Sequence, residues 1–528
     1  MFARAVAPAA DLAVPATRGT PGQRTRALRW LAPVGVAYTL AQLLLVVPGS
    51  GLGWDETIYT SQVSGSVPAA FFSAPRARGI TFLAAPVAEL TSSTAALRVW
   101  LALLSGVGLF LALWVWRTLL PARVPALAGA LFASLWITLY YGPQVMPNVW
   151  SAYGSLLAVG CFLRAARDRA DRAALAGLAC GVAVVGLMRP PDAVWLAVPL
   201  VAAALAVPRW RRPVLLAVVA LGVVLGCAEW VVEAYARYGG LAARLRVGSD
   251  IQGGMGWNFA VDDQIRALDG RTLCRPCTVP WRHRATAGWF LALPVLAAGG
   301  VHAAAVARRR ATVLLPLVVA ACVAAPYLFL IDYAAPRFLL PAYLLLAVPV
   351  AECLWWLVTR RGDGPRPVVA ALVALACGAH LTVQYLVLAQ AVRANRSESR
   401  EYAAVAADLR RAGVRPPCAI TGDASVPIAF AAGCASRQPD GPNASVTTEG
   451  LRSLARRMPV AVLVAERRQA PPYARRWRVV VLPDGASYIR HRAYVSVEPP
   501  RPGTGPAGPA RPAHADGSTA SVRVSSAR

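Results

Sequence analysis

The chain has 528 residues, 57% of them hydrophobic and only 15% charged, and its mean hydropathy of +0.48 excludes a water-soluble protein of this length. Its formal net charge of +28, carried by arginine because lysine is absent, would point to nucleic acid in a soluble domain. Here the arginines gather in particular loops between apolar runs, which indicates membrane topology and no nucleic-acid partner.

Residues 1–29, with Arg18, Arg24, Arg26 and Arg29, read as a cytoplasmic tail ahead of a first apolar segment at 30–48. That run is long and no small-x-small cleavage site follows it, so it is expected to remain as an anchor rather than leave as a signal peptide. About eleven segments approach the ~20 apolar residues that cross ~30 Å of hydrocarbon. They lie at 30–48, 97–117, 123–140, 148–163, 173–188, 193–207, 213–235, 286–307, 311–331, 338–359 and 366–390. With the tail inside, Arg117 with Arg123, RAARDRADR, PRWRRP, ARRR and TRRGDGPR all fall on the cytoplasmic side. The expectation is a polytopic α-helical membrane protein with its N-terminus in the cytoplasm and its C-terminus outside. The Arg, Ala and Val bias fits a high-GC bacterium and hence the plasma membrane.

The first external loop, 49–96, opens with GSGLGWDETIYTSQVSG and its adjacent Asp55 and Glu56. The plain reading is a helix N-cap at Asp55, with Glu56 in the first turn. The loop continues through FFSAPRARGITFLAAPVAELTSS, which sets Arg76 and Arg78 among Phe, Leu, Ile and Pro as in segments lying along the interface. Acid and base are then held at the depth of a lipid-linked phosphate. Arginine binds phosphate through charge-assisted, often bidentate hydrogen bonds, and a carboxylate beside it can take a proton from a hydroxyl.

Further along, Arg189 and Asp192 flank a two-proline turn and read as a local ion pair. The second long external loop, 236–285, contains GGMGWNFAVDDQIRALDG, in which Trp257, Asp262 and Asp263 are weak candidates for a substrate cleft against the reading of a solvated loop. Tyr333, in DYAAPRFLLP at an outer helix start, joins the weak cleft candidates, and Arg337 in the same stretch reads, taken alone, as snorkelling to the interface. Six cysteines lie in membrane segments as small hydrophobes. The other four, Cys274 and Cys277 in CRPC and Cys418 and Cys434, fall outside and suggest two disulfides with pairing left open. A zinc site at CRPC with His283 is the weaker alternative.

After 391 charges return and apolar runs shorten, so 392–499 is expected to be a small extracytoplasmic α/β domain beyond the transmembrane domain at 30–391. A helix at 399–412 leads to a strand at CAIT, a helical turn at VPIAFAAG, a helix at GLRSLARR, and strands at PVAVLVA, WRVVVLP and SYIRHRAYVSV. No Gly-rich nucleotide loop occurs in it. Residues 500–528 lack the hydrophobes for a core and are expected to be disordered.

These motifs resemble a family. An acidic pair in the first external loop, after an N-inside first helix and before interfacial segments, resembles the GT-C glycosyltransferases. Within them it is most similar to the protein O-mannosyltransferase and aminoarabinose transferase group, glycosyltransferase family 39. DYAAPRFLLPAYLLLAVPV resembles that group's Arg-aromatic-Leu-Leu-Pro pattern at a late helix start, and LMRPPDAVWLAVPL and MPNVWSAYGSLLAVGCFLRA are similar to it in general character. The resemblance spans roughly residues 30–390.

It implies a GT-C-like fold and inverting transfer of a hexosyl or pentosyl group. The donor is a polyprenyl-phosphate-linked sugar in the membrane lipid, and the acceptor a hydroxyl of a protein, lipid or glycan on the outer face. By the resemblance Asp55 is the general base, Glu56 orients the acceptor or binds a divalent metal, and Arg337, ahead of Arg78 and Arg76, neutralises the leaving phosphate. No other cofactor is implied. The chain departs from the group at SAPRARG, where a His-Pro-Pro type sequence often follows the acidic pair, and at Asn148, where a carboxylate is expected. The alternatives are a non-catalytic scaffold or lipid-binding protein of the same fold, and a transporter. A midplane nearly free of ionisable residues speaks against transport, and the intact acidic pair speaks against a scaffold.

Overall fold

The computed structural model describes residues 21–275, 277–278, 280–281, 283–359, 366–441, 443–465, 468–482 and 491–496. Residues 1–20 of the expected tail, the 360–365 connection and the C-terminal segment 500–528 lie outside the described residues.

Every expected apolar segment is helical. Helix α1 (Pro21–Ala41) begins inside the stretch read as tail and continues through a wider turn, Gln42–Val46. Two short helices, α2 (Trp54–Ser61) and α3 (Gly79–Ala88), occupy the first long loop. The bundle proceeds with α4 (Thr94–Trp114), α5 (Arg123–Ser134), α6 (Trp136–Tyr141), α7 (Asn148–Arg167), α8 (Arg172–Met188), α9 (Pro190–Ala206) and α10 (Pro213–Tyr238). After α11 (Leu241–Ile251) and α12 (Val261–Ala267) in the second long loop come α13 (Gly288–Val306), α14 (Ala311–Phe329), α15 (Leu340–Thr359) and α16 (Arg366–Arg411).

Among the described residues eight helical stretches are long and apolar enough to cross a membrane, and α5, α8 and α9 are apolar but shorter. The segment at 123–140 is divided because Leu135 is extended (φ −65°, ψ 132°), and the freed backbone N–H of Trp136 donates instead to Gln384 Oε1 at 2.8 Å. The protein is a multi-pass membrane protein. Leu44, Val224 and Val232 are 71%, 64% and 67% exposed, an arrangement suited to lipid because each helix satisfies its own backbone. Lipid gives no hydrophobic drive between helices, so close approach of small residues holds the bundle. A Cβ on Gly181 of α8 would lie 2.8 Å from the Gly154 carbonyl oxygen of α7.

Helix α16 carries the chain from the bundle into the C-terminal unit without a break, so the boundary expected at 391/392 falls inside one helix of 46 residues. The charges that return there do not stop a helix, and no Gly or Pro occurs between Gly378 and Gly413. Beyond it lie β1 (Ala419–Gly422), α17 (Ser425–Ala432), β2 (Ala435–Ser436), α18 (Thr448–Ala455), β3 (Val460–Ala465), β4 (Arg478–Val481) and β5 (His491–Val495). The sheet order is β2-β1-β3-β5-β4. Strands β2 and β3 run parallel to β1, and β5 is antiparallel to β3 and β4. Val405 and Leu409 of α16 pack with Ile420 and Leu463 in this small core. Disulfides join Cys274 to Cys277 and Cys418 to Cys434.

The two units meet beside α2. Val426 of α17 belongs to the core of the bundle, and the Gly51 N–H donates to Asn395 Oδ1 of α16 at 3.1 Å. A Cβ at Gly51 would collide with Ser399 Oγ, 1.8 Å away, so only glycine lets α16 lie this close to the start of the Asp55 loop.

Candidate active site

Helix α2 starts at the N-cap Gly53. The cap is closed by Glu56, whose Oε2 accepts the Gly53 N–H at 3.0 Å, so Asp55 does not serve as the N-cap. Glu56 is also consumed elsewhere. Its Oε1 accepts the Val145 N–H at 2.8 Å and its Oε2 accepts Arg98 Nη2 at 2.8 Å; the Arg98 and Glu56 side chains are 1% and 3% exposed. Arg98 in turn donates to the Pro143 carbonyl at 3.0 Å and to that of Gly51. Glu56 therefore ties α2 to α4 and to the 143–145 turn, and the roles of orienting an acceptor or holding a metal do not fit it. Among the described residues no three or more His, Cys, Asp or Glu side chains are grouped to hold a metal ion.

Asp55 turns the other way, into a cavity of about 370 Å³. Its Oδ1 accepts Arg76 Nη2 at 2.7 Å and its Oδ2 accepts Arg337 Nη2 at 3.1 Å. The Asp55 side chain stays 35% exposed, against 10% for Arg337. Burial pushes the carboxyl up, but Arg76 and Arg337 outweigh it and hold Asp55 below the ordinary carboxylate value.

The arginines are placed by their own segments. Arg76 Nη1 donates to Ser73 Oγ. Behind it, fully buried Arg244 of α11 donates to the carbonyls of Ala74 and Arg76, each at 3.0 Å, and pairs with Glu233 at 2.9 Å. Arg337 Nη1 donates to the Thr272 carbonyl at 2.7 Å. The disulfide-closed CRPC turn steadies that carbonyl, because Cys274 and Ala334 exchange both backbone hydrogen bonds, 2.8 and 3.1 Å long. Arg275, inside the CRPC turn, lies over the Tyr333 ring at 4.7 Å. Burial lifts the Tyr333 phenol above its usual value, and the positive charges of Arg337, Arg189 and Arg275 offset that rise only in part.

Arg76, Arg189, Arg244, Arg275 and Arg337 line the cavity with Asp55 and Asp192, so cationic groups outnumber anionic ones. Arg189 and Asp192 do pair, at 3.0 Å, and Tyr327 completes their group by accepting from Arg189 Nη2 at 2.7 Å and donating to Asp192.

Of the expected site residues, Asp55, Arg76, Arg337 and Tyr333 share this cavity. Arg78 does not: it pairs with Glu233 at 2.7 Å and with Glu229 at 3.3 Å, because α10 offers two carboxylates behind the loop. Trp257 stacks on Phe329 and is 80% exposed. Asp262 pairs along its own helix with Arg266 at 2.7 Å, and Asp263, next to it on α12, is likewise outside the lining. These three belong to the outer surface of the loop, so the cleft expected there is formed by Tyr333 and Arg275 instead. Asn148 is buried with both side-chain polar atoms unpartnered, one residue past Pro147 in the cavity wall. Sequence reading missed Arg244 and Arg275. The arginine inside CRPC was a signal; for Arg244 there was only an arginine on an amphipathic stretch.

No protein-family model matches this chain, and no curated protein matches it either. Solved structures do. ArnT from Cupriavidus metallidurans bound to undecaprenyl phosphate is similar at TM-score 0.64 and 13% identity, over 89% of this chain and 98% of that one. The apo form of the Archaeoglobus fulgidus oligosaccharyltransferase is similar at TM-score 0.53 and 14% identity, over 83% of this chain and 69% of that one. The same archaeal enzyme, AglB, with an inhibitory peptide and a dolichol-phosphate, is similar at TM-score 0.50 and 14% identity. The fold is that of the GT-C membrane glycosyltransferases.

Proposed function

We propose that this chain is a membrane glycosyltransferase that moves a sugar from a polyprenyl-phosphate donor to a hydroxyl acceptor at the outer face of the plasma membrane, with its N-terminus in the cytoplasm. The observation that carries the reading is the pairing of Asp55 with Arg76 and Arg337 at the wall of an arginine-rich cavity. The GT-C fold supports it by analogy, as do neighbours whose structures hold undecaprenyl phosphate and dolichol-phosphate.

Arg337 and Arg76 receive the donor phosphate, and the apolar flank of the cavity, with Trp195, Leu245 and Pro326, meets its polyprenyl chain. A phosphate anion entering the cavity competes with Asp55 for the same guanidinium N–H groups. As those donors turn to phosphate, the hold on Asp55 loosens and the carboxylate becomes more basic toward an incoming hydroxyl. The acceptor oxygen attacks the anomeric carbon from the face opposite the phosphate, so a new C–O bond forms as the old one breaks. The bonding pair leaves with the phosphate, and the hydroxyl proton goes to Asp55. The leaving phosphate gains a negative charge, so its contacts to the arginines strengthen in the transition state, which lowers the barrier to the chemical step.

The test uses purified protein with a polyprenyl-phospho-sugar. Asp55→Asn is expected to lower transfer by about 10²–10⁴-fold, the range for a positioned base, with undecaprenyl phosphate still bound. Transfer retained by Asp55→Asn would refute the assignment.

A further inference from the structure

The C-terminal α/β unit does more than pack beside the bundle. Between β2 and α18 its chain is pinned at the base by Gln438. The Gln438 side chain donates to the Gly422 carbonyl at 3.2 Å and to Ser425 Oγ, at the end of β1 and the start of α17. The Ser445 and Val446 N–H groups donate back to the Gln438 carbonyl at 2.9 and 3.2 Å. The Ala444 N–H, donating to the Gly441 carbonyl at 3.0 Å, closes the turn between them. Held this way, the turn carries Asn443 to the wall of the Asp55 cavity. Among the described residues Asn443 is the C-terminal unit's contribution to that lining. Its Oδ1 is buried and accepts no hydrogen bond, a condition native structures rarely leave unmet.

The rest of the wall has its tasks divided by chemistry. The arginines of the bundle handle phosphate charge, and Trp195, Leu245 and Pro326 suit a polyprenyl chain arriving from the lipid side. Asn443 arrives from the opposite unit and carries no charge. A carboxamide neither neutralises a phosphate nor takes a proton, but it donates and accepts, which matches neighbouring hydroxyls of a carbohydrate. Ser249, Gln252 and Arg275 of the same lining supply the further hydrogen-bonding groups that a polyol needs.

We infer that Asn443 is a specificity-determining residue for a carbohydrate acceptor, whose hydroxyls it hydrogen-bonds beside the one that Asp55 deprotonates. The inference rests on the transferase reading. It makes the C-terminal unit the part that selects what is glycosylated, while the bundle holds what is transferred.

The experiment uses the full chain in lipid nanodiscs with polyprenyl-phospho-arabinose and polyprenyl-phospho-mannose as donors. Octyl glycosides and Ser/Thr peptides serve as acceptor probes, and undecaprenyl phosphate as the donor-site probe. Wild type is expected to transfer to a glycoside. Asn443→Ala is expected to raise the glycoside KM by about 10- to 100-fold, the cost of one lost polar contact, with kcat and the undecaprenyl phosphate Kd changed by less than about threefold. An unchanged glycoside KM would overturn the inference, as would transfer to peptides alone, or undecaprenyl phosphate affinity falling in parallel. A wild-type protein that binds undecaprenyl phosphate and transfers to none of the probes would instead overturn the transferase reading itself.

Discussion

Asp55 and Glu56 are neighbours on one helix and both pair with arginine, yet they sit in opposite surroundings. Glu56 and Arg98 are 3% and 1% exposed and are further tied to the backbone of Gly53, Val145, Pro143 and Gly51. Asp55 is 35% exposed and, among the described residues, pairs with Arg76 and Arg337. A buried ion pair tied to the backbone organises the fold. An ion pair whose members open onto a cavity can exchange partners, and exchange of partners is what a reaction involving an anionic leaving group requires. The difference comes from one step along a helix, about 100° of rotation, which turns Glu56 into the bundle and Asp55 out of it.

Separating the two carboxylates by mutation tests this contrast most strongly. Asp55→Asn should cost transfer about 10²–10⁴-fold while shifting stability by less than Glu56→Gln does, since the Asp55 pair opens onto a cavity and Glu56 is enclosed with Arg98. Glu56→Gln should do the reverse. Leaving Arg98 buried without its counter-charge is expected to cost about 3–5 kcal/mol of stability, read as a lower melting temperature and a lower yield of folded protein. The molecules that do fold should keep a normal acceptor KM. A Glu56→Gln protein that melts like wild type and is catalytically dead would reverse the two assignments.

A smaller effect is expected at Arg337. Lysine keeps the charge but not the fork that reaches Thr272 and Asp55 together. Arg337→Lys should therefore weaken undecaprenyl phosphate binding by about 10- to 100-fold, corresponding to roughly 1.5–3 kcal/mol for a charged hydrogen bond. Arg78→Lys, changed outside the cavity, should leave that affinity near wild type. Equal losses in the two variants would show that the site reads overall charge rather than the Arg337 geometry.

The comparison also shows what a sequence can reveal. Helices were legible wherever apolar runs were long, because hydrocarbon admits few other backbone solutions. Asp55, Arg76 and Arg337 were legible because ionisable groups at the ends of apolar segments need a reason to be there. That Asp55 meets Arg337, 282 residues further along the chain, could be expected only through a family resemblance. Glu56 was misread because adjacency in sequence says nothing of direction around a helix. Arg78 was misread because its partners, Glu229 and Glu233, lie on a helix whose packing no local pattern specifies. Asn443 left no local signal at all: an asparagine in a turn reads as turn chemistry, and only the docking of α17 on the bundle brings it to the cavity.

The most delicate test of the contrast is a difference between two pH profiles. In the free protein Arg76 and Arg337 hold Asp55 below the ordinary carboxylate value of 3.8. A group depressed in this way contributes its stabilisation fully above its unfolded value and loses it only as the pH falls through the lower folded one. The log of kcat/KM, which reports the free protein, should therefore show no acid limb from Asp55 above about pH 4. Once donor phosphate occupies the arginines their hold on Asp55 weakens, so the acid limb of kcat, which reports the bound complex, should lie at higher pH than that of kcat/KM. If the two limbs coincide, Asp55 keeps its arginines throughout the reaction and the exchange of partners does not occur. If the kcat limb lies higher in wild type and returns toward the kcat/KM limb in Arg337→Lys, where the lysine leaves Asp55 bound to Arg76, the exchange runs through Arg337.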